Sequence, residues 1–258
     1  MIIQHKGASI FYTDQGAGNA IVLLHGFLEN STMWEPVINE LKDNHRVICI
    51  DLLGHGKTEC IGYVHTMEDM AEAVHTVIGI LQLNDVTLIG HSMGGYVGCA
   101  FAKAYPEKII KLCLLNSTPN PDDNERVTLR RRANKMAQTQ YAQLVRMSFT
   151  NLFDHEAQRA NRSIIDVALK EALKTPLQGY LAANEGMAIR PDYGNFWINT
   201  PIITAMILGT TDWIIDAAAH KEAYERGTNY FKIIEGGHMT HISNTAETMY
   251  ALAKFISY

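Results

Sequence analysis

Proline is sparse, cysteine sparser, and no apolar run comes near the length of a membrane helix. The 258 residues include seven prolines and four cysteines, at positions 49, 60, 99 and 113. Cys49 and Cys113 lie inside the apolar runs Val47-Ile48-Cys49-Ile50 and Leu112-Cys113-Leu114-Leu115, where cysteine acts as a small buried hydrophobe. No C-x-x-C pair occurs and the spacings match no zinc site, which excludes a disulfide framework and structural zinc and points to a reducing compartment. A bilayer-crossing helix needs ~20 consecutive apolar residues, and the chain has no such stretch. Met1-Ile2-Ile3-Gln4-His5-Lys6-Gly7 does not carry the charged start and long apolar segment of a secretory leader. A soluble, cytoplasmic protein with no membrane partner is expected.

An excess of basic charge is also missing. The formal net charge is −5, spread along the chain, whereas a nucleic-acid binder should show a basic face. The only basic run, Arg130-Arg131-Arg132, lies in a helix-like stretch near Asp122, Asp123 and Glu125 and reads as a solvated face. No nucleic-acid partner is expected. H-E-x-x-H and H-x-x-x-H are absent, so no metal is expected. The glycines at 90, 94 and 95 lack the lysine and spacing of a phosphate loop. Repeats and low-complexity segments are absent as well.

What the chain does have is an alternation of apolar runs and helical segments. Ile2 to His5 and Ser9 to Thr13 read as a hairpin about Gly7, closed by Gly16-Ala17-Gly18. Continuous apolar runs follow at 21–24, 47–52, 86–89, 109–115, 202–208 and 230–234, the pattern of strands buried on both faces in a parallel sheet. Helices are expected over 66–82, with Thr66 and Asp69 as the capping pair, and over 93–104, 216–226 and 243–256. Alternation of this kind defines an α/β sheet. Residues 121–198 break it: they hold helical stretches near 123–149 and 155–173 and no convincing strand. They are assigned as a helical cap inserted into a core of residues 1–120 and 199–258.

The sharpest local signal is Val86-Thr87-Leu88-Ile89-Gly90-His91-Ser92-Met93-Gly94-Gly95. A strand turning directly into a helix strains its corner residue, and the flanking glycines relieve the crowding. Ser92 is therefore the candidate nucleophile. A serine hydroxyl needs a base held by a third group. His238, in Gly236-Gly237-His238 after the last apolar run, is that base, with His241 as runner-up. Asp212, on Gly209-Thr210-Thr211-Asp212, is the acid; Asp216 is better explained as a helix N-cap. The N–H groups of Phe27 and Met93 are assigned to an oxyanion hole. His25 and His55, each beside a glycine, are read as structural hydrogen-bonders. His91 and the cap residues Phe149, Phe153, Tyr180 and Trp197 are candidate substrate contacts, with Leu152 among the apolar cap positions.

Taken together, His25-Gly26-Phe27, Asp51-Leu52-Leu53-Gly54-His55-Gly56, Gly90-His91-Ser92-Met93-Gly94-Gly95, Gly209-Thr210-Thr211-Asp212 and Gly237-His238 resemble the α/β-hydrolase superfamily over nearly the whole chain. The resemblance implies an eight-stranded, mostly parallel sheet with strand 2 antiparallel, flanked by helices, with a helical cap after strand 6. It also implies carboxylesterase-like hydrolysis through an acyl-enzyme, with no cofactor. Phe27-Leu28, Trp34 and the stretch from Asp51 to Thr58 look like the menaquinone-pathway synthase of a succinyl-cyclohexadiene carboxylate. That family usually has tyrosine and arginine where this chain has His91 and Tyr96. The expected substrate is a small, mainly apolar ester-like molecule. Alternatives are a lyase or a C–C or enol-lactone hydrolase using the same residues, and a slow-turnover ligand sensor. A homodimer is left open.

Overall fold

The apolar runs form the centre of one eight-stranded sheet in the computed structural model, which describes residues 1–258. In chain order the strands are β1 (Ile2–His5), β2 (Ala8–Gln15), β3 (Asn19–Leu24), β4 (His45–Ile50), β5 (Val86–His91), β6 (Ile109–Leu115), β7 (Ile203–Gly209) and β8 (Tyr230–Ile234). Their spatial order is β1-β2-β4-β3-β5-β6-β7-β8. As expected, β2 runs antiparallel to its neighbours and all other pairings are parallel. Strand order reverses between β3 and β5, and the crevice at the carboxyl ends beside such a reversal is where open α/β sheets bind ligands.

The central strands are hydrophobic throughout because successive side chains enter different layers. Val22, Leu24, Ile48, Leu88 and Leu112 pack beneath α2 (residues 67–80) and α3 (residues 93–104), where Val74, Val77, Val97 and Phe101 meet them; α1 (Glu35–Leu41) lies on the other face. There, Ile21, Leu23, Val47, Cys49, Ile89 and Cys113 meet Val37, Ile38 and Leu41 together with the C-terminal Ala251, Leu252 and Phe255. Each fully buried Val, Leu, Ile or Phe contributes about 1.5–3 kcal/mol. Burial also pushes the thiols of Cys49 and Cys99 up to about 12, so they stay protonated and inert.

Local chemistry sets the helix ends. Thr66 and Asp69 form the reciprocal capping box of α2. Between β6 and β7 lie α4 (Asn124–Thr150), α5 (His155–Ala160), α6 (Arg162–Ala172), α7 (Leu177–Ala188) and α8 (Gly194–Asn199). Asp123 caps α4 by accepting from the Arg126 N–H at 2.7 Å, and Asp154 caps α5 in the same way through Ala157. The stretch expected as one helix over 155–173 is two, broken at Asn161, whose backbone turns to φ −114° and ψ +20° and whose side chain joins its own N–H on the Ala157 carbonyl, at 3.2 Å. After β7 come α9 (Ala217–Tyr224), α10 (Thr240–Ser243) and α11 (Thr245–Ile256). Asp216 caps α9 through the Ala218 and Ala219 N–H groups. The helix expected from Ser243 starts later, because Ser243 ends α10 and Asn244, at φ −140° and ψ +58°, is not helical. No helix is long and apolar enough to cross a membrane.

The inserted helices have a core of their own. Leu144, Val145, Phe149, Phe153, Ile165 and Tyr180 cluster there and join the sheet's carboxyl end through Leu28 and Met239.

Candidate active site

Ser92 closes β5 and opens α3 with φ +48° and ψ −116°, a strained corner conformation for a residue other than glycine. Glycine is required close by: a Cβ on Gly94 would clash with the Leu24 carbonyl and lie 2.7 Å from the His25 carbonyl. That close approach seats α3 against the loop after β3, so Phe27 and Ser92 come to line one cavity. Met93 is the first residue of α3, and its N–H has no intrahelical acceptor.

The other two candidates arrive on loops after β7 and β8. His238 Nε2 lies 2.9 Å from Ser92 Oγ, and His238 Nδ1 lies 2.8 Å from Asp212 Oδ2. Asp212 Oδ1 accepts the Ile214 and Ile215 N–H groups at 2.8 and 3.1 Å. Burial works against charge on this carboxyl. His238, as charge and hydrogen-bond partner, and the two backbone donors outweigh that penalty and hold it below the usual carboxylate range. Ser92, Asp212 and His238 are thus brought into one hydrogen-bonded line. His241 does not join it; it sits against Glu29.

Two supporting residues escaped sequence analysis. Asn116, at φ +45° after β6, donates to Asp212 Oδ2 at 3.2 Å and to the Gly237 carbonyl at 3.1 Å, and accepts from Thr240 Oγ1 at 2.5 Å. Ser117 Oγ donates to the Ser92 carbonyl at 2.7 Å. The only sequence signal was an Asn-Ser-Thr-Pro stretch after an apolar run, which reads as an ordinary turn. His25 is structural as expected: Nδ1 donates to the Gly26 carbonyl at 2.7 Å and Nε2 accepts from the Leu52 N–H at 2.8 Å. His55 contacts the Leu53 carbonyl at 3.1 Å, and burial pushes its pKa down to about 3.

The cavity at Ser92 measures about 100 Å³ and is lined in part by Phe27, His91, Tyr96, Leu152, Met187 and Met239. Four expected substrate contacts do not line it. Phe153 and Tyr180 are consumed in the core of the inserted helices. Phe149 belongs to that core too and borders a larger cavity, about 350 Å³, on the far side of Leu28 and Glu29. Trp197 packs into the main sheet core, its Nε1 donating to Thr228 Oγ1 at 2.9 Å. Large aromatic rings bury more area than a small cavity offers, so the helices use them as packing. Arg130 is the converse error: expected on a solvated face, it lines the Ser92 cavity, and its guanidinium is paired with buried Asp122.

The chain matches a family model for the alpha/beta hydrolase fold over residues 19–245. The chain belongs to the alpha/beta hydrolase family. Among solved structures, a thermophilic esterase from Thermogutta terrifontis with malate bound superposes at TM-score 0.92 and 29% identity, covering 99% of this chain and 96% of that one. The enol-lactonase from Burkholderia xenovorans LB400 superposes at TM-score 0.91 and 20% identity over the full length of both chains. The 3-oxoadipate enol-lactonase 1 of Acinetobacter baylyi is 23% identical over 99% of this chain and 96% of its own. Other similarities are partial. An uncharacterized protein of Mycobacterium tuberculosis is 35% identical over 102 residues, only 30% of its length. A putative 2-succinyl-6-hydroxy-2,4-cyclohexadiene-1-carboxylate synthase of Bacillus subtilis is 36% identical over 44% of this chain and 42% of its own.

Proposed function

We propose that the chain is a serine hydrolase that cleaves small carboxylic esters through an acyl-enzyme on Ser92. The observation that carries this reading is the line from Ser92 Oγ through His238 to Asp212, with links of 2.9 and 2.8 Å at the wall of a cavity. Ser92 Oγ attacks the carbonyl carbon as His238 Nε2 takes its proton, and Asp212 holds the Nδ1–H and stabilises the imidazolium. The Met93 and Phe27 N–H groups hold the oxyanion; loss of one such donor costs ~3–4 kcal/mol of barrier. His238 then protonates the departing alcohol, and a water repeats the cycle on the acyl group. The helices of residues 121–198 serve as the cap that excludes bulk water.

Arg130 favours a second, narrower reading, in which the substrate carries a carboxylate. Its Nε and Nη1 bond Asp122 and Asn184, leaving Nη2 as the donor for a ligand. Arg190 also binds Asp122, at 2.7 Å, so two guanidiniums share one carboxylate and a positive charge is left over near the cavity. Acidic lactones and acidic esters suit that excess. Turnover of p-nitrophenyl esters of rising acyl length, with p-nitrophenyl hemisuccinate in parallel, tests both readings. Short neutral esters should turn over repeatedly. On the acidic reading Arg130→Met raises KM for the hemisuccinate about tenfold more than for the neutral ester, the loss of one charge-assisted hydrogen bond. Equal effects on both substrates would remove the acidic reading, and no turnover of any ester would remove the esterase reading.

A further inference from the structure

Beside Ser92 lies a second group of titratable side chains that the mechanism does not use, two of which, Glu29 and His91, also border the Ser92 cavity. Glu29, on the loop after β3, is buried. Its Oε2 accepts from the Gly26 N–H at 2.8 Å and contacts His91 Nδ1 at 2.7 Å, while its Oε1 lies 3.2 Å from His241 Nε2. His91, immediately before the nucleophile, is 1% exposed. Its other nitrogen, Nε2, lies 3.1 Å from the backbone carbonyl of His238. A Cβ on Gly26 would meet Glu29 Oε2 and lie 2.7 Å from His91 Nδ1, so the loop closes over this pair only with glycine at position 26.

The partners dictate the protonation states. Both nitrogens of His91 face acceptors, one a carboxylate and the other a carbonyl. A neutral imidazole has a single N–H and would set a lone pair against one of them; only the imidazolium satisfies both. Glu29 Oε2 in turn receives two donors and is a carboxylate. We propose that the Glu29–His91 ion pair is a positioning device that joins the oxyanion loop, the nucleophile corner and the base loop, with His91 holding His238 in register with Ser92 through the His238 carbonyl. Glu29 and His91 are positioning residues, not catalytic ones, and their assignment rests on the serine-hydrolase reading. A doubly protonated His91 has no lone pair for a metal, so Glu29, His91 and His241 form an ion-pair cluster and not a ligand set.

The charges around His91 agree. Burial opposes its proton, but the charge and hydrogen bond of Glu29, the His238 carbonyl and the charge of Asp212 outweigh that, and its pKa is raised. Burial likewise opposes charge on Glu29, and His91 and His241 bring its pKa well below the usual range. His25, facing from the loop after β3, is neutral because one nitrogen donates and the other accepts. His241, facing from α10, is kept neutral mainly by burial. His91 is therefore the member of the group that loses its proton as pH rises. Because its folded pKa is raised, the bond to His238 is present below that pKa and lost as pH climbs through it, which gives the rate an alkaline limb.

Two measurements test this, one of them independent of any substrate. Ring ¹⁵N NMR of the wild-type protein should show both His91 nitrogens protonated at neutral pH; a single proton overturns the proposal. The rate at which a fluorophosphonate labels Ser92, followed against pH, gives the second. Glu29→Gln keeps an acceptor for Gly26 but removes the charge. It should slow labelling about 10- to 100-fold, the scale of a small misplacement of reacting groups, and move the alkaline limb to lower pH. A Glu29→Gln profile superposable on wild type overturns the positioning role alone. Wild-type protein that never labels at Ser92 overturns the hydrolase reading and the positioning role with it.

Discussion

Replacing Ser92 by alanine is expected to lower ester turnover by about 10⁴- to 10⁶-fold, the range seen when a nucleophile is removed from a unit of this kind. The fold should survive. Ser92 Oγ has one protein partner, His238 Nε2 at 2.9 Å, and the Ser117 bond that steadies the corner goes to the Ser92 backbone carbonyl. Alanine has the same backbone freedom as serine at φ +48°, so the strain of the corner is unchanged. Stability should therefore stay within about 1 kcal/mol of wild type, because no packing is removed and His238 Nε2, the one group left without its partner, faces the cavity, where water can replace the hydroxyl. Turnover on a short p-nitrophenyl ester and a thermal melt, made on the same preparation, check both halves. Turnover within tenfold of wild type would remove Ser92 from the mechanism, and a lost melting transition would show that the corner depends on the hydroxyl.

Asp212→Asn is expected to cost about 10⁴-fold in kcat, with little change in KM, by fixing the wrong tautomer of the base. Every group around this carboxylate is a donor: the Ile214 and Ile215 N–H groups on Oδ1, and His238 Nδ1 and the Asn116 amide on Oδ2. An asparagine must turn its NH₂ toward one of these sets. Toward Ile214 and Ile215 it strands buried donors. Toward His238 it makes Nδ1 an acceptor, puts the proton on Nε2 and leaves no lone pair to take the Ser92 proton. Steady-state kinetics of the variant, with its melting temperature as control, decide the point; a loss below tenfold would mean that another group orients His238. The stabilising interactions of the Asp212 carboxylate also carry a pH signature. Its folded pKa is depressed, so they are complete above the unfolded carboxyl pKa and disappear as pH falls through the folded value. Asp212→Asn should flatten that part of the acid limb in a stability profile.

Much of the fold was legible because its signals are local. The continuous apolar runs became β3 to β8, and the Thr66–Asp69 pair became the capping box of α2. Ser92, Asp212 and His238 could be named in advance since each sits where a strand ends, beside glycine or a turn, and a parallel sheet gathers those ends along one edge. The aromatic residues of the inserted helices were misjudged for a physical reason: a large ring in an amphipathic segment looks the same whether it faces a substrate or a neighbouring helix. Phe153 faces a neighbouring helix, Tyr180 packs between Tyr141 and Phe27 on the loop after β3, and Trp197 faces the sheet.

The sequence by itself determined the class of fold, the strained corner at Ser92 and the identity of the residues that meet there, because periodicity, glycine placement and capping act over a few positions. Only the tertiary structure decided which polar groups support them. Glu29 and His91 are 62 residues apart, Asn116 and Asp212 are 96 apart, and Arg130 reaches the cavity from a helix that its own sequence marks as exposed. Contacts of that range leave no local pattern. A buried charge persists only where its partner is also buried and hydrogen-bonded, and that pairing is set by where the loops meet in space.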